Sequence, residues 1–109
     1  MDLTKKKCVP CEGGVEPFSP SEIETYQSYL KKPWDIIEGI KIEKKYKFKD
    51  FRQAMEFVNK VADIANVEDH HPDIYISYSR VTITLWTHAI GGLSANDFIV
   101  ASKIELLED

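Results

Sequence analysis

Three stretches of the chain carry apolar side chains at helical spacing. The first begins at Ser19, where a glutamate three residues later completes a capping box, and Pro33 ends it. The second runs from Asp50 to about Asn66, and the third starts at Ser94. The predicted buried stripes are Ile23, Tyr26 and Leu30 in the first; Phe51, Ala54, Met55, Val58, Val61, Ala62 and Ala65 in the second; and Val100, Ala101, Ile104 and Leu107 in the third. These stretches predict three amphipathic helices.

Two predicted strands follow the first helix: the short run Trp34-Asp35-Ile36-Ile37, and residues 40–48, in which apolar and polar side chains alternate. Such alternation is typical of strands with one buried face. Gly39 separates a short first strand from a longer second strand. The apolar face of the second strand consists of Ile40, Ile42, Tyr46 and Phe48. Lys44 interrupts that face, which predicts either a bulge or an edge strand.

Residues 73–88 predict a β-hairpin. With Ser79 and Arg80 as the central turn residues, apolar residues face apolar partners and polar residues face polar ones. The predicted pairs are Ile74 with Leu85, Ile76 with Ile83, Tyr78 with Val81, Tyr75 with Thr84 and Ser77 with Thr82. The same register places His71 opposite His88 at the open end of the hairpin.

The predicted order of elements is helix, two strands, helix, two strands, helix. Two hairpins separated by a helix predict an α+β fold, a two-layer sandwich in which a four-stranded antiparallel sheet carries the helices on one face. We expect one domain over residues 19–109, preceded by an extended arm over residues 1–18.

Composition and charge exclude several classes of protein. The 109 residues are 43% hydrophobic and 29% charged, as in an ordinary globular protein. A net charge of −4 argues against direct binding to nucleic acid. No apolar run approaches the ~20 residues of a membrane span, and no secretory signal is visible. Two cysteines favour a reducing compartment, so we expect a cytoplasmic protein.

The most informative polar residues are the three histidines, His70, His71 and His88. They converge on one rim of the predicted sheet, and imidazole titrates near neutral pH, so this rim is a candidate acid–base site. A polar loop before Pro72 is the simpler alternative. Candidate ligand-binding residues on the same rim are Asp73, Tyr75, Trp86 and Thr87.

Alternative roles stay open for several of these side chains. Asp97 follows Ser94 by three residues, so it either caps the third helix or supports a histidine. Trp86 and Tyr75 either bind a ligand or pack across the hairpin.

The N-terminal arm contains the motif Cys8-Val9-Pro10-Cys11, followed by two glycines and two further prolines. A Cys-x-x-Cys pair serves either a redox reaction or half of a zinc site, but there is no second cysteine pair. We therefore expect no metal here. The arm precedes the first capping box, so we expect it to add no group to the histidine rim and to be dispensable for catalysis.

One combination of motifs is specific enough to name a family. Glu68-Asp69-His70-His71-Pro72-Asp73, Thr87-His88-Ala89-Ile90-Gly91-Gly92-Leu93-Ser94 and Asp97-Phe98 together resemble the signature of the pterin-4a-carbinolamine dehydratases. The resemblance runs from about Phe48 to Glu105. The sequence departs from the family pattern at Asn66, where an acidic residue is common, and at Ala89, where an aspartate is common.

The resemblance implies an α+β fold, a dimer or tetramer, and neither metal nor cofactor. It implies a lyase that converts 4a-hydroxytetrahydrobiopterin to quinonoid dihydrobiopterin during tetrahydrobiopterin recycling, with an aromatic amino acid hydroxylase as the source of the substrate. It also implies catalysis by His70, His71 and His88 with Asp97 as a supporting carboxylate. We assign His70 and His88 as the acid–base pair and His71 to positioning.

Imidazole suits this reaction, because one histidine can protonate the leaving hydroxyl while another removes the N5 proton. The alternative is a protein-interaction module, because animal members of the family also act as dimerisation cofactors of a homeodomain transcription factor. The three histidines favour the enzyme, since a pure binding module has no need of them.

Overall fold

The computed structural model describes residues 1–10 and 13–108 and confirms the predicted α+β class and order of elements. The elements are α1 (Pro20–Gln27), β1 (Asp35–Ile37), β2 (Lys41–Lys47), α2 (Phe51–Glu68), β3 (Asp73–Ser77), β4 (Arg80–Leu85) and α3 (Ala95–Glu105), with short 3-10 helices at Leu3–Lys5 and His88–Ile90. In the described part of the chain no helix is both long enough and apolar enough to cross a membrane.

The four strands form an antiparallel sheet in the order β1-β2-β4-β3. Alternate residues of the two central strands point inward, and Ile42, Val81 and Ile83 are fully buried in the core beneath the helices. Lys45 and Lys47 lie on the opposite face and are exposed. The predicted arrangement, with helices on one face of the sheet, is therefore confirmed.

Lys44 causes no bulge, because it pairs in regular register with Ile83 of β4. It does lie at a local edge, since β1 pairs with β2 only from Lys41 to Glu43. Its ammonium bonds the Glu108 carboxylate at 2.7 Å. A lysine is tolerated on the inner face because its flexible stem can pack while its charged end meets an acidic partner.

Helix α1 begins as predicted, with reciprocal bonds between Ser19 and Glu22. It ends at Gln27, however, and the expected continuation to Pro33 is wrong. The turns that follow use i→i−3 bonds, which end the α-helical ladder. The Gln27 amide then bonds both the N–H and the C=O of Trp34, which fixes the path of the chain beyond the helix.

Helix α2 is capped by Asp50, whose carboxylate accepts from the Gln53 N–H at 2.9 Å, and ends at Glu68 rather than Asn66. Most of its predicted stripe is buried, but Phe51 is 49% exposed. Phe57 fills the aromatic position instead, with its ring centroid 4.6 Å from that of Tyr46.

The hairpin register differs from the prediction by two residues. Tyr78 and Ser79 form the turn, so Ile74 pairs with Ile83, and Ser77 with Arg80. A shift of two residues leaves each side chain on its own face, so the apolar pattern fits both registers equally well. Both registers close with a two-residue loop, and in the observed one Tyr78 takes the left-handed conformation that such a loop requires, with φ 52°.

Helix α3 is buried on nearly all sides, whereas a one-sided stripe was predicted. The reason is the N-terminal arm, which packs against it. Leu3 is 1% exposed within the core, and the Phe18 N–H bonds the Leu93 carbonyl at 2.8 Å. Leu107, assigned to the stripe, lies beyond the end of the helix and is half-buried.

Candidate active site

His70 is positioned by the end of α2 and held by α3. Asp69 adopts a left-handed conformation at φ 52°, which ends the helix, and the His70 N–H then bonds the Ala65 carbonyl at 3.2 Å. The His70 Nε2 lies 2.6 Å from the Asp97 Oδ1. The backbone bond to Ala65 and the side-chain contact with Asp97 together fix the position of the His70 ring, and 12% of the side chain is still exposed.

Asp97 is fully buried, and each of its oxygens has a separate partner. Oδ1 meets His70, while Oδ2 accepts from the Thr87 hydroxyl at 2.8 Å and from the Ser94 N–H at 3.0 Å. The Thr87 and Ser94 hydroxyls also lie 2.8 Å apart. The two roles considered for Asp97 are therefore not exclusive, because one oxygen completes the helix cap while the other orients the imidazole.

The other two histidines are more exposed. The His71 Nε2 lies 3.1 Å from the Asn66 Oδ1. The His88 ring stacks on the Trp86 ring with centroids 4.0 Å apart and planes 29° from parallel. The Trp86 Nε1 donates to the Asp73 Oδ2 at 3.3 Å, so the indole that supports His88 is itself anchored.

All three histidines line one cleft of about 740 Å³, which is within the usual size of a small-molecule site. Asp73, Trp86 and Thr87 also line it. Tyr75 does not; it lies on the outer face of the sheet, pairs with Thr82 and is 67% exposed.

The histidines meet for a different reason from the one that the sequence suggested. The expected pairing of His71 with His88 is wrong, because the ladder stops at the Asp73–Thr84 pair. His88 instead begins a 3-10 helix after the isolated bridge between Thr87 and Gly92. Both loops leave the same end of the hairpin, and this brings their histidines to one cleft.

The expectation that the arm adds nothing to the histidine rim is also wrong. Lys7, Cys8, Val9 and Pro10 line the same cleft as the histidines. Three prolines and two glycines correctly indicated an irregular segment, but no local pattern shows where such a segment docks.

Glu68 is a further cleft residue that the sequence analysis did not select. It is 8% exposed, accepts from the Cys8 N–H at 2.8 Å and pairs with the Lys103 ammonium at 2.6 Å. Burial raises the pKa of Glu68, but the bonds from Lys103 and Cys8 outweigh it and leave the pKa below its ordinary value. Glu68 follows Ala65 by three residues on the buried stripe of α2, and this spacing could have predicted that it is buried.

The thiol of Cys8 is poorly suited to nucleophilic or redox chemistry. Burial and the neighbouring Glu68 charge raise its pKa to about 12, so the thiol stays protonated at neutral pH. Cys11 lies outside the described residues. Among the residues that are described, no group of three or more His, Cys, Asp or Glu side chains is arranged to hold a metal ion.

These features define a class of protein. A small α+β fold with several imidazoles in one cleft, one of them held by a buried carboxylate, is suited to binding a small molecule. Residues 16–107 match the family model described as Pterin 4 alpha carbinolamine dehydratase. The chain belongs to this family, and the resemblance seen in its sequence is confirmed.

Individual relatives agree over nearly the whole chain. A protein of Rickettsia bellii, provisionally assigned as a pterin-4-alpha-carbinolamine dehydratase, is 49% identical over 107 residues, which cover 98% of this chain and 95% of the relative. A protein of Nitrosomonas europaea with the same assignment is 45% identical, with 97% and 93% covered.

Solved structures support the same fold. The crystal structure of a transcriptional coactivator/pterin dehydratase from Brucella melitensis superposes with a TM-score of 0.78 at 32% identity, covering 86% of this chain and 100% of that one. A pterin dehydratase-like protein described as a RuBisCO assembly factor in the alpha-carboxysome has a TM-score of 0.58 at 20% identity, with 68% of this chain and 87% of that one covered, and it shows the likeness of fold alone.

Proposed function

We propose that this protein removes water from 4a-hydroxytetrahydropterins, with 4a-hydroxytetrahydrobiopterin as the natural substrate. The observation that carries the proposal is the placement of His70 and His88 in one cleft, with His70 held 2.6 Å from the buried Asp97. Membership of the dehydratase family supports the choice of a pterin as the ligand.

The reaction needs two proton transfers and no redox step. A general acid protonates the hydroxyl on C4a, the C4a–O bond breaks, and water leaves. A base removes the N5 proton, and the N5 electron pair forms the C4a=N5 double bond of quinonoid dihydropterin. Each positioned transfer contributes about 10²–10⁴-fold to the rate. Atoms and charge balance without a metal or a cofactor, so the proposal includes neither.

His70 is suited to one of these transfers because its tautomer is fixed. Asp97 Oδ2 already accepts from the Thr87 hydroxyl and the Ser94 N–H, which leaves Oδ1 as the acceptor that faces the imidazole. The His70 Nε2 therefore carries a proton directed at Asp97. Its Nδ1 is the nitrogen that can exchange a proton with the pterin.

His88 is suited to the second proton transfer. It reaches the cleft from the loop after β4, whereas His70 comes from the loop after α2, and the His88 ring stacks on that of Trp86. His71 is assigned to positioning, because it is exposed at the rim and bonded to Asn66. The acidic residue common in the family at position 66 is thus replaced here by an amide that still holds this ring.

The physiological setting belongs to the same proposal. It includes tetrahydrobiopterin recycling, a substrate supplied by an aromatic amino acid hydroxylase, a cytoplasmic location and a homo-oligomer, either a dimer or a tetramer. The role of an interaction module stays the second candidate, and the description of the Brucella melitensis relative as a coactivator is the observation that keeps it.

A dehydration assay tests the enzyme. Formation of quinonoid dihydropterin is followed optically from freshly generated 4a-hydroxytetrahydropterin. The wild-type protein should accelerate water loss, and His70→Ala and His88→Ala should each retain partial activity if either imidazole can serve as the acid. The double variant should lose nearly all activity, because groups that act as a unit are not additive. Wild-type protein that binds a pterin without accelerating water loss would favour the interaction module.

A further inference from the structure

The residues Lys7–Pro10, called here the arm wall, form one side of the histidine cleft. They come from the N-terminal arm, outside the sheet and the three helices that position the histidines. The family model matches residues 16–107, so the arm wall lies outside the segment that the model matches.

Two buried side chains hold the arm wall in place. The Asn96 amide makes paired bonds with Val9, accepting from its N–H at 3.0 Å and donating to its carbonyl at 2.7 Å. Glu68 accepts from the Cys8 N–H at 2.8 Å. Asn96 is 5% exposed and Glu68 8%, so water competes little for these bonds.

The same two helix ends also hold His70. Asn96 precedes Asp97 at the start of α3, and Glu68 lies two residues before His70 at the end of α2. The arm wall and the acid–base group are therefore built on one pair of supports, which fixes the distance between them.

We propose that the arm wall is part of the substrate-binding surface and that Asn96 is a positioning residue that holds it against the bound pterin. The inference rests on the proposed function, because the ligand is the pterin of that reaction. The wall is assigned to binding, since its thiol stays protonated and its exposed residues are Lys7, Val9 and Pro10, of which only Lys7 carries a charge. Loss of the wall should weaken binding of substrate and transition state alike, which raises KM and leaves kcat nearly unchanged.

Asn96→Ala is the variant that tests the proposal, and Gln27→Ala is its matched control. Gln27 makes the same paired amide bonds, to the N–H and C=O of Trp34 at 3.1 and 2.6 Å, and is 8% exposed, but it does not line the cleft. Both variants lose two bonds from a buried amide side chain to backbone groups. Only Asn96→Ala should weaken binding of 7,8-dihydropterin, which lacks the 4a hydroxyl and cannot be dehydrated, by about tenfold or more, with kcat within about threefold of wild type.

Hydrogen exchange of the wild-type protein gives a readout that no folding defect can obscure. Saturating 7,8-dihydropterin should slow exchange of the Cys8 and Val9 amides relative to the Trp34 amide. Two results would show that the arm wall has no role in binding while the proposed function stands. In the first, wild-type protein dehydrates the substrate but exchange of these amides is unaffected by 7,8-dihydropterin. In the second, Asn96→Ala binds 7,8-dihydropterin as tightly as Gln27→Ala does. If wild-type protein neither binds the pterin nor dehydrates the substrate, both proposals fail.

Discussion

Asp97 shows how one buried side chain serves both the fold and the site. Its two oxygens join the start of α3, the segment after β4 through Thr87, and the histidine that follows α2. A cap needs only an acceptor, whereas the orientation of an imidazolium also benefits from a full negative charge. The two roles can therefore be separated by a change that keeps an acceptor and removes the charge.

Asp97→Asn should lower kcat by about 10²-fold, comparable to the loss of one positioned acid–base group. The matched control is Asp50→Asn at the start of α2, which changes the same group at an exposed cap. Asparagine caps as well as aspartate, so the control should be unchanged in both activity and stability. Steady-state kinetics and thermal unfolding of both variants check this, and equal activities would show that Asp97 only caps.

Tyr78 occupies a left-handed backbone conformation that disfavours its side chain, at φ 52°. It is 68% exposed, so little burial would be lost on substitution. Tyr78→Asn should therefore raise the free energy of unfolding by about 0.5–1 kcal/mol, because asparagine tolerates this conformation. Tyr75→Asn is the control, since Tyr75 is equally exposed but extended within β3. Urea denaturation should show stabilisation in the first variant and destabilisation in the second.

At the scale of elements, the ion pair of Glu68 with Lys103 ties α2 to α3 beside the cleft. The lowered pKa of Glu68 means that the folded protein favours the carboxylate. Its contribution to stability is therefore complete above the ordinary pKa of 4.5 and is lost as the pH falls through the folded value. The connection between the two helices should weaken in acid.

Glu68→Gln should destabilise the protein at pH 7 by about 1–3 kcal/mol, because Lys103 loses its partner while the Cys8 N–H keeps an acceptor. The difference from wild type should narrow below pH 4.5, where the wild-type carboxyl also becomes neutral. Glu56→Gln, on the exposed side of α2, is the control and should show neither effect. Urea unfolding at several pH values measures this, and a constant difference between Glu68→Gln and wild type would contradict it.

The elements also show which parts of the fold the sequence could predict. Helix starts at Ser19 and Asp50 were placed correctly, because capping is decided by residues within one turn. The hairpin register was missed by two residues because side-chain parity does not change under such a shift. The sequence correctly predicted that the three histidines lie together, although the hairpin register used for that prediction was wrong. The arm wall was missed because its contacts, such as that of Val9 with Asn96, join residues 87 positions apart.

At the scale of the whole molecule, the family resemblance implies a dimer or a tetramer. Helix α3 offers little surface for such contacts, because the chain itself buries nearly all of it. The hairpin remains a candidate surface, because β3 is an edge strand with neighbours on one side only in the described sheet. Unpaired strand edges favour association with another strand.

Light scattering at micromolar concentration should therefore report two or four times the chain mass of 12.5 kDa. Tyr75→Lys, on the exposed side of β3, places a charge near the edge without touching the core and should shift the mass toward the monomer. A wild-type protein that is monomeric throughout would contradict the homo-oligomer.

The docking of the N-terminal arm also has a consequence for synthesis on the ribosome. Leu3 leaves the exit tunnel long before α3, the helix that it packs against. Val9 likewise cannot form its paired hydrogen bonds until Asn96 has been synthesised. Until α3 has emerged, the arm has no surface to pack against, so one side of the cleft is completed only after that helix has been made.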